Sequence, residues 1–109
     1  MIHIKFYLDA DRRYKGFAIK GHAGYAAYGS DIICAAVSAL STNTVNSLET
    51  FSSDRIETRT EEKLGALYLR LVTRADETSQ LLIKSLALGL ESIRGEYGSK
   101  YIKILYKEA

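Results

Sequence analysis

The stretch GHAGYAAYGSDIICAAVSALS, residues 21–41, is where the hydrophobic period of this chain changes. Upstream of it apolar and polar residues alternate, as on a strand with one wet face. Downstream, apolar residues recur every three or four positions, as on one face of a helix. The loop between is built of glycine, alanine, tyrosine and serine and ends at Asp31. A carboxylate there is suited to accept the unpaired N–H groups of a first helical turn. The same stretch holds the only cysteine of the chain, Cys34, and one of its two histidines, His22.

Working outward, Ile2, Ile4, Phe6 and Leu8 alternate with His3, Lys5, Tyr7 and Asp9, which predicts a half-buried first strand. The polar turn DADRR leads into YKGFAIKG, a second strand with Phe17 and Ile19 on one face, and the two form an antiparallel hairpin. Ile33, Ala36, Val37, Leu40, Thr44, Leu48 and Phe51 predict an amphipathic helix over residues 32–51. Ser38, Ser41, Thr42, Asn43, Asn46 and Glu49 fall on its opposite face. RIETRT and LGALYLRLVTR read as two strands around the polar turn Glu61-Glu62-Lys63. Asp76 caps a second long helix striped by Leu82, Leu86, Leu90, Ile93 and Tyr97, with Gly98 just past its end. KYIKILYKE closes with a last strand. The order ββαββαβ, with two singly striped helices, predicts an α+β two-layer sandwich: a mainly antiparallel sheet with both helices on one face. The other sheet face, carrying residues such as Tyr7, is left to solvent or a partner.

The 109 residues fit one domain spanning 1–109, and a hydrophobic content of 47% allows a small core. No apolar run of about 18 residues occurs, so no membrane span is expected. The opening alternation is not the order of a signal peptide. With one cysteine and no export signal, a free thiol in a reducing cytoplasm is the expectation. The formal net charge of +2 is too small to argue for nucleic acid, and direct nucleic-acid binding is not expected. One cysteine and two histidines, His3 being far upstream on a strand, do not make a zinc set. Neither a P-loop nor a dinucleotide fingerprint is present, so no metal or cofactor is expected.

With Asp31 as the cap, Cys34 lies in the first helical turn, where free N–H groups and the helix dipole favour a thiolate. Those N–H groups are also suited to hold an oxyanion after attack on a carbonyl. His22 ends the second strand, and a strand end and a helix start can be neighbours in space. A thiol beside an imidazole is a nucleophile beside its base. The bland alternative is a small, buried, apolar cysteine. No third triad member follows His22 in the sequence.

The segment Gly21–Leu40 resembles, closely, the signature of the ribosomal-processing cysteine protease family, Prp. Gly21, His22 and Ala23 match its Gly-His-Ala element. Gly29, Asp31, Ile32, Cys34, Ala35, Ala36, Val37 and Ser38 match its second element, with Ile33 in place of the commoner valine. The resemblance implies Cys34 as nucleophile and His22 as general base and acid. It implies removal of a short N-terminal extension from large-subunit ribosomal protein twenty-seven, by a cut after a Phe-Phe pair and before an alanine. It further implies a homodimer and no cofactor. Gly21, Gly29, Asp31 and Ser38 are supporting or substrate-binding candidates. Ser38, one turn beyond Cys34, either bonds substrate or is an ordinary helix serine. Asp31 caps the helix, orients His22, or does both. Tyr25 and Tyr28 either cover an aromatic substrate or are surface tyrosines.

Two other functions compete. A non-catalytic ribosome-associated protein would use the basic cluster Arg12, Arg13, Lys15 and Lys20 on RNA phosphates. A thiol redox sensor would use Cys34, but it lacks an internal resolving cysteine.

Overall fold

The computed structural model describes residues 1–27 and 31–109. Its elements are β1 (Ile2–Leu8), β2 (Tyr14–Lys20), α1 (Ile32–Phe51), β3 (Ile56–Glu61), β4 (Ala66–Leu71), α2 (Glu77–Tyr97) and β5 (Ile102–Glu108), with a 3-10 turn at Glu62–Leu64 between β3 and β4. The expected α+β order is present. The five strands lie in the order β3-β4-β2-β1-β5. β1 with β2, β2 with β4, and β3 with β4 pair antiparallel. β5 returns alongside β1 in parallel, so the sheet is mixed at that edge.

One face of the sheet is apolar because the strands alternate. Ile2, Ile4, Phe6, Leu8, Phe17, Ile19, Leu69, Leu71 and Ile102 are buried there. Both helices cover that face, through Ile33, Val37 and Leu48 of α1 and Ile83, Leu86, Ala87 and Leu90 of α2. The helices approach closely at Gly89, where an added Cβ would stand 2.9 Å from Leu40 Cδ1.

Three details depart from the periodic reading. Phe51 ends α1 beyond the reach of the sheet and is 68% exposed. Ser41, expected on the polar face, is buried, and its hydroxyl donates back to the Val37 carbonyl at 2.8 Å. Such a back-bond lets a serine occupy a core position without an unpaired polar atom. On α2 the stripe is rotated, so Ile83 is fully buried while Leu82, Ile93 and Tyr97 pack at its margin. Both predicted caps form. Asp76 accepts Thr78 N–H, and the N–H of Gly98 closes on the Arg94 carbonyl at 2.8 Å.

At the far end from the loop at residues 21–31, Asp54 is buried and fully bonded. It accepts Thr73 Oγ1 and the N–H groups of Ala75 and Asp76. Ser52 and Ser79 bond to each other beside it. This network locks the end of α1 to the start of α2 and leaves the opposite end of the sandwich to build a site.

Candidate active site

Asp31 starts α1 and uses both carboxylate oxygens. Oδ1 accepts the N–H groups of Ile33 at 3.0 Å and Cys34 at 3.1 Å, which is the predicted cap. Oδ2 accepts the N–H groups of Tyr25 at 3.0 Å and Ala26 at 3.5 Å. The cap residue therefore also folds the incoming loop over the helix start. Burial pushes the Asp31 carboxyl up, but the donors from Cys34, Tyr25 and Ala26 outweigh it and hold the group below the usual carboxylate range.

Cys34 sits in the first turn, half-buried, with its thiol free of any disulfide. The backbone N–H of Ala23 donates to Sγ at 3.2 Å. Ala23 directly follows His22, so the segment that carries the imidazole also touches the sulfur. The expectation that the helix terminus lowers the thiol pKa is not met. Burial pushes the thiol up, the Ala23 N–H pulls it down, and the nearby Asp31 charge pushes it up again, for a net rise. The capping bonds explain part of this: the first-turn N–H groups of Ile33 and Cys34 already serve Asp31.

His22 follows Gly21 at the end of β2. Gly21 has φ of +100°, and a Cβ there would meet the Met1 carbonyl oxygen at 2.5 Å. Only glycine fits that crossing. The Gly21 N–H donates to the Leu64 carbonyl at 3.1 Å, which ties this strand end to the turn between β3 and β4. Gly65 ends that turn in the left-handed region, at φ +57° and ψ +43°. A Cβ on Gly65 would lie 3.0 Å from Cε1 and 3.1 Å from Nε2 of His22. The imidazole thus rests on bare Gly65 backbone. Sequence reading missed Gly65, although the polar turn and glycine that end β3 were visible.

His22 and Cys34 line one cleft of about 920 Å³. Ser38 lines it one turn beyond Cys34, with Ser41 and Thr42 along the same helix and Thr60, Glu62 and Leu67 from the opposite hairpin. Gly21, His22, Asp31, Cys34 and Ser38 are therefore gathered at one place, while Gly29 and Tyr28 lie outside the described residues. Tyr25 does not lie over the cleft as a free ring. It packs edge-on against Tyr97 and Tyr101, with centroids 5.8 Å and 5.3 Å away. Among the described residues no group of three or more His, Cys, Asp or Glu is placed to hold a metal ion. No helix among them is long and apolar enough to cross a membrane.

A helix-borne thiol and a strand-end imidazole line a shared cleft of an α+β sandwich, the pairing that a thiol hydrolase of the cysteine-protease class requires. The family model for cysteine protease Prp matches residues 1–103, and the chain belongs to that family. It is a cysteine protease. It is 27% identical over 107 residues to the ribosomal processing cysteine protease Prp of Staphylococcus aureus strain Mu50, covering 98% of this chain and 100% of the relative. It is 29% identical over 101 residues to the protein of the same name from Bacillus subtilis strain 168, covering 89% of this chain and 90% of that one. A crystal structure of the S. aureus protease in complex with a covalently linked product peptide superimposes with a TM-score of 0.93 at 27% identity, over 98% of this chain and 100% of that one. A second, in complex with a substrate peptide, gives 0.87 at 26% identity over the same shares.

Proposed function

We propose that this chain is a ribosomal-processing endopeptidase that removes the N-terminal extension of large-subunit ribosomal protein twenty-seven, cutting after a Phe-Phe pair and before an alanine. Cys34 is the nucleophile and His22 the general base and acid. The observation that carries the assignment is the Ala23 N–H on Cys34 Sγ, which binds the histidine segment to the sulfur within one cleft.

The raised thiol pKa favours one order of events over another. In the free protein Cys34 is held mainly as the neutral thiol. Proton transfer to His22 then accompanies attack instead of preceding it. Sulfur bonds to the scissile carbonyl carbon, and the carbonyl oxygen becomes the oxyanion of a tetrahedral adduct. His22 returns the proton to the leaving amine as the C–N bond breaks, leaving a thioester. Water, deprotonated by His22, then attacks the thioester; His22 returns that proton to the departing sulfur, and the freed carboxylic acid ionises. His22 serves each proton transfer, and the family resemblance implies no cofactor. Ser38 binds the substrate backbone along the cleft, and Gly21 allows the close backbone approach beside it. The enzyme works as a homodimer, as the family resemblance implies, in the reducing cytoplasm that suits a lone free thiol.

A synthetic peptide spanning the extension tests this. The expected result is a single cut after the Phe-Phe pair, read by mass spectrometry, and none with Cys34→Ala. Cutting at other bonds, or equal cutting by the alanine variant, overturns the proposal.

A further inference from the structure

The sheet face opposite the helices collects charges that lie far apart in the sequence. Strand pairing sets Lys103, His3 and Lys20 in one row across β5, β1 and β2. The next row runs Leu105, Lys5, Ala18, Tyr68 and Arg59 from β5 to β3. The third runs Lys107, Tyr7, Gly16, Arg70 and Glu57. With Lys15 beside this row and Glu61 at the end of β3, the face carries seven lysines and arginines against two carboxylates, although the formal charge of the whole chain is only +2. Both carboxylates are already paired, Glu57 with Arg70 and Glu61 with Arg59, each at 2.6 Å. Lys15 donates to the Ala109 oxygen at 3.0 Å, so the other four lysines are left to set the potential of the face.

The centre of the face is a groove of about 680 Å³. Tyr7 and Tyr68 wall it, the small residues Gly16 and Ala18 floor it, and Lys15 and Arg70 rim it. Arg59 covers one face of the Tyr68 ring at 4.3 Å, which holds the ring in place and leaves stacking to its opposite face. Half-buried tyrosines on a cationic sheet offer two things together: flat apolar platforms and a field for a polyanion.

We infer that this face binds single-stranded RNA, with bases stacking on Tyr7 and Tyr68 and phosphates held by Lys5, Lys20, Lys103 and Lys107. Single strands expose bases for stacking on aromatic side chains, and their phosphates require the surrounding cations. A duplex hides its base faces and gives the tyrosines nothing to stack on. A second copy of this chain fits poorly, because two such faces would set lysine against lysine. The binding face and the proteolytic cleft are separate: on β2, Ile19 lines the cleft while Ala18 lines the groove.

The test uses the full chain and a fluorescent short oligoadenylate, titrated between about 50 and 200 mM salt. Binding is expected to weaken steeply with salt. Joint Lys5→Gln, Lys103→Gln and Lys107→Gln should flatten the log–log slope by about two and weaken binding roughly 10²-fold near 0.1 M salt, since each single-strand phosphate contact contributes about 0.7 to the slope. Tyr7→Ala and Tyr68→Ala should each weaken oligoadenylate by about 5-fold or more while leaving heparin, a polyanion without bases, unchanged. Peptide cleavage should stay at the wild-type rate in all of these variants. No binding at the lowest salt, or an unaltered slope in the triple variant, overturns the inference. Equal loss of heparin and oligoadenylate in the tyrosine variants overturns the stacking groove. Light scattering that shows copies joined through this face, tighter in the triple variant, would make it a dimer interface and overturn the inference as well.

Discussion

Gly65 offers the most direct test of how the histidine is held. Its φ of +57° lies where a residue with a Cβ is strained by about 1–2 kcal/mol. Its Cβ would also stand 3.0 Å and 3.1 Å from the His22 ring and 3.2 Å from the Gly21 carbonyl oxygen. An ordinary carbon contact needs about 3.5–4.0 Å, so the ring must retreat by roughly half an ångström or more. A misplacement near 1 Å costs about 10²-fold in rate, so Gly65→Ala should lower kcat by about 10- to 100-fold with little change in KM. Stability should fall by about 1–2 kcal/mol in a denaturant melt. The two effects separate with Gly65→Asn, because asparagine tolerates the left-handed region but still carries a Cβ. That variant should recover most of the stability and almost none of the kcat. Alkylation of Cys34 by a small neutral reagent should be nearly normal in both. If Gly65→Asn cleaves at the wild-type rate, or if kcat tracks stability in both variants, Gly65 does not seat the imidazole.

Asp31→Asn should weaken the site in two ways, because only one of its side-chain atoms can then accept. Either the cap or the bonds to Tyr25 and Ala26 must be lost, at about 1 kcal/mol in a melt; an unchanged midpoint would contradict the two-sided role. The same change removes a charge that opposes the thiolate, so Cys34 should alkylate faster at neutral pH even as cleavage falls. In the wild type, alkylation should rise with pH through a midpoint above that of a cysteine in an unstructured peptide, because burial raises the folded thiol. A midpoint below the peptide's would mean that the thiolate is preformed. Because the raised folded pKa favours the neutral thiol, this group's contribution to stability is present below the unfolded thiol pKa and lost as pH rises through the folded one; wild type and Cys34→Ala should therefore converge in pH dependence at neutral pH and part in alkali. Tyr25→Ala should free the loop from Tyr97 and Tyr101, each edge contact contributing about 0.5–1.5 kcal/mol, and change KM more than kcat. An unaltered KM would show that this anchor does not shape substrate entry.

What could be read from the sequence alone was what depends on local chemistry. Period two in Ile2–Leu8 and period 3.6 after Asp31 identify strand and helix because each period brings apolar residues to one face. Asp31 and Asp76 mark helix starts because a short carboxylate is what the first-turn N–H groups need. The motif around His22 and Cys34 was likewise visible, being confined to one short stretch. Other features depended on which strands become neighbours. The parallel return of β5 beside β1 leaves no local mark, since a strand has the same alternation in either direction. Gly65 meets His22 only because β4 pairs with β2. The thiol's raised pKa follows from burial and from Asp31 taking the first-turn donors, neither of which spacing reveals. Charge shows the same division most plainly. Counted along the chain it nearly cancels, but strand pairing sorts four lysines, Lys5, Lys20, Lys103 and Lys107, onto one open face, because alternation sends every second residue of every strand to the same side.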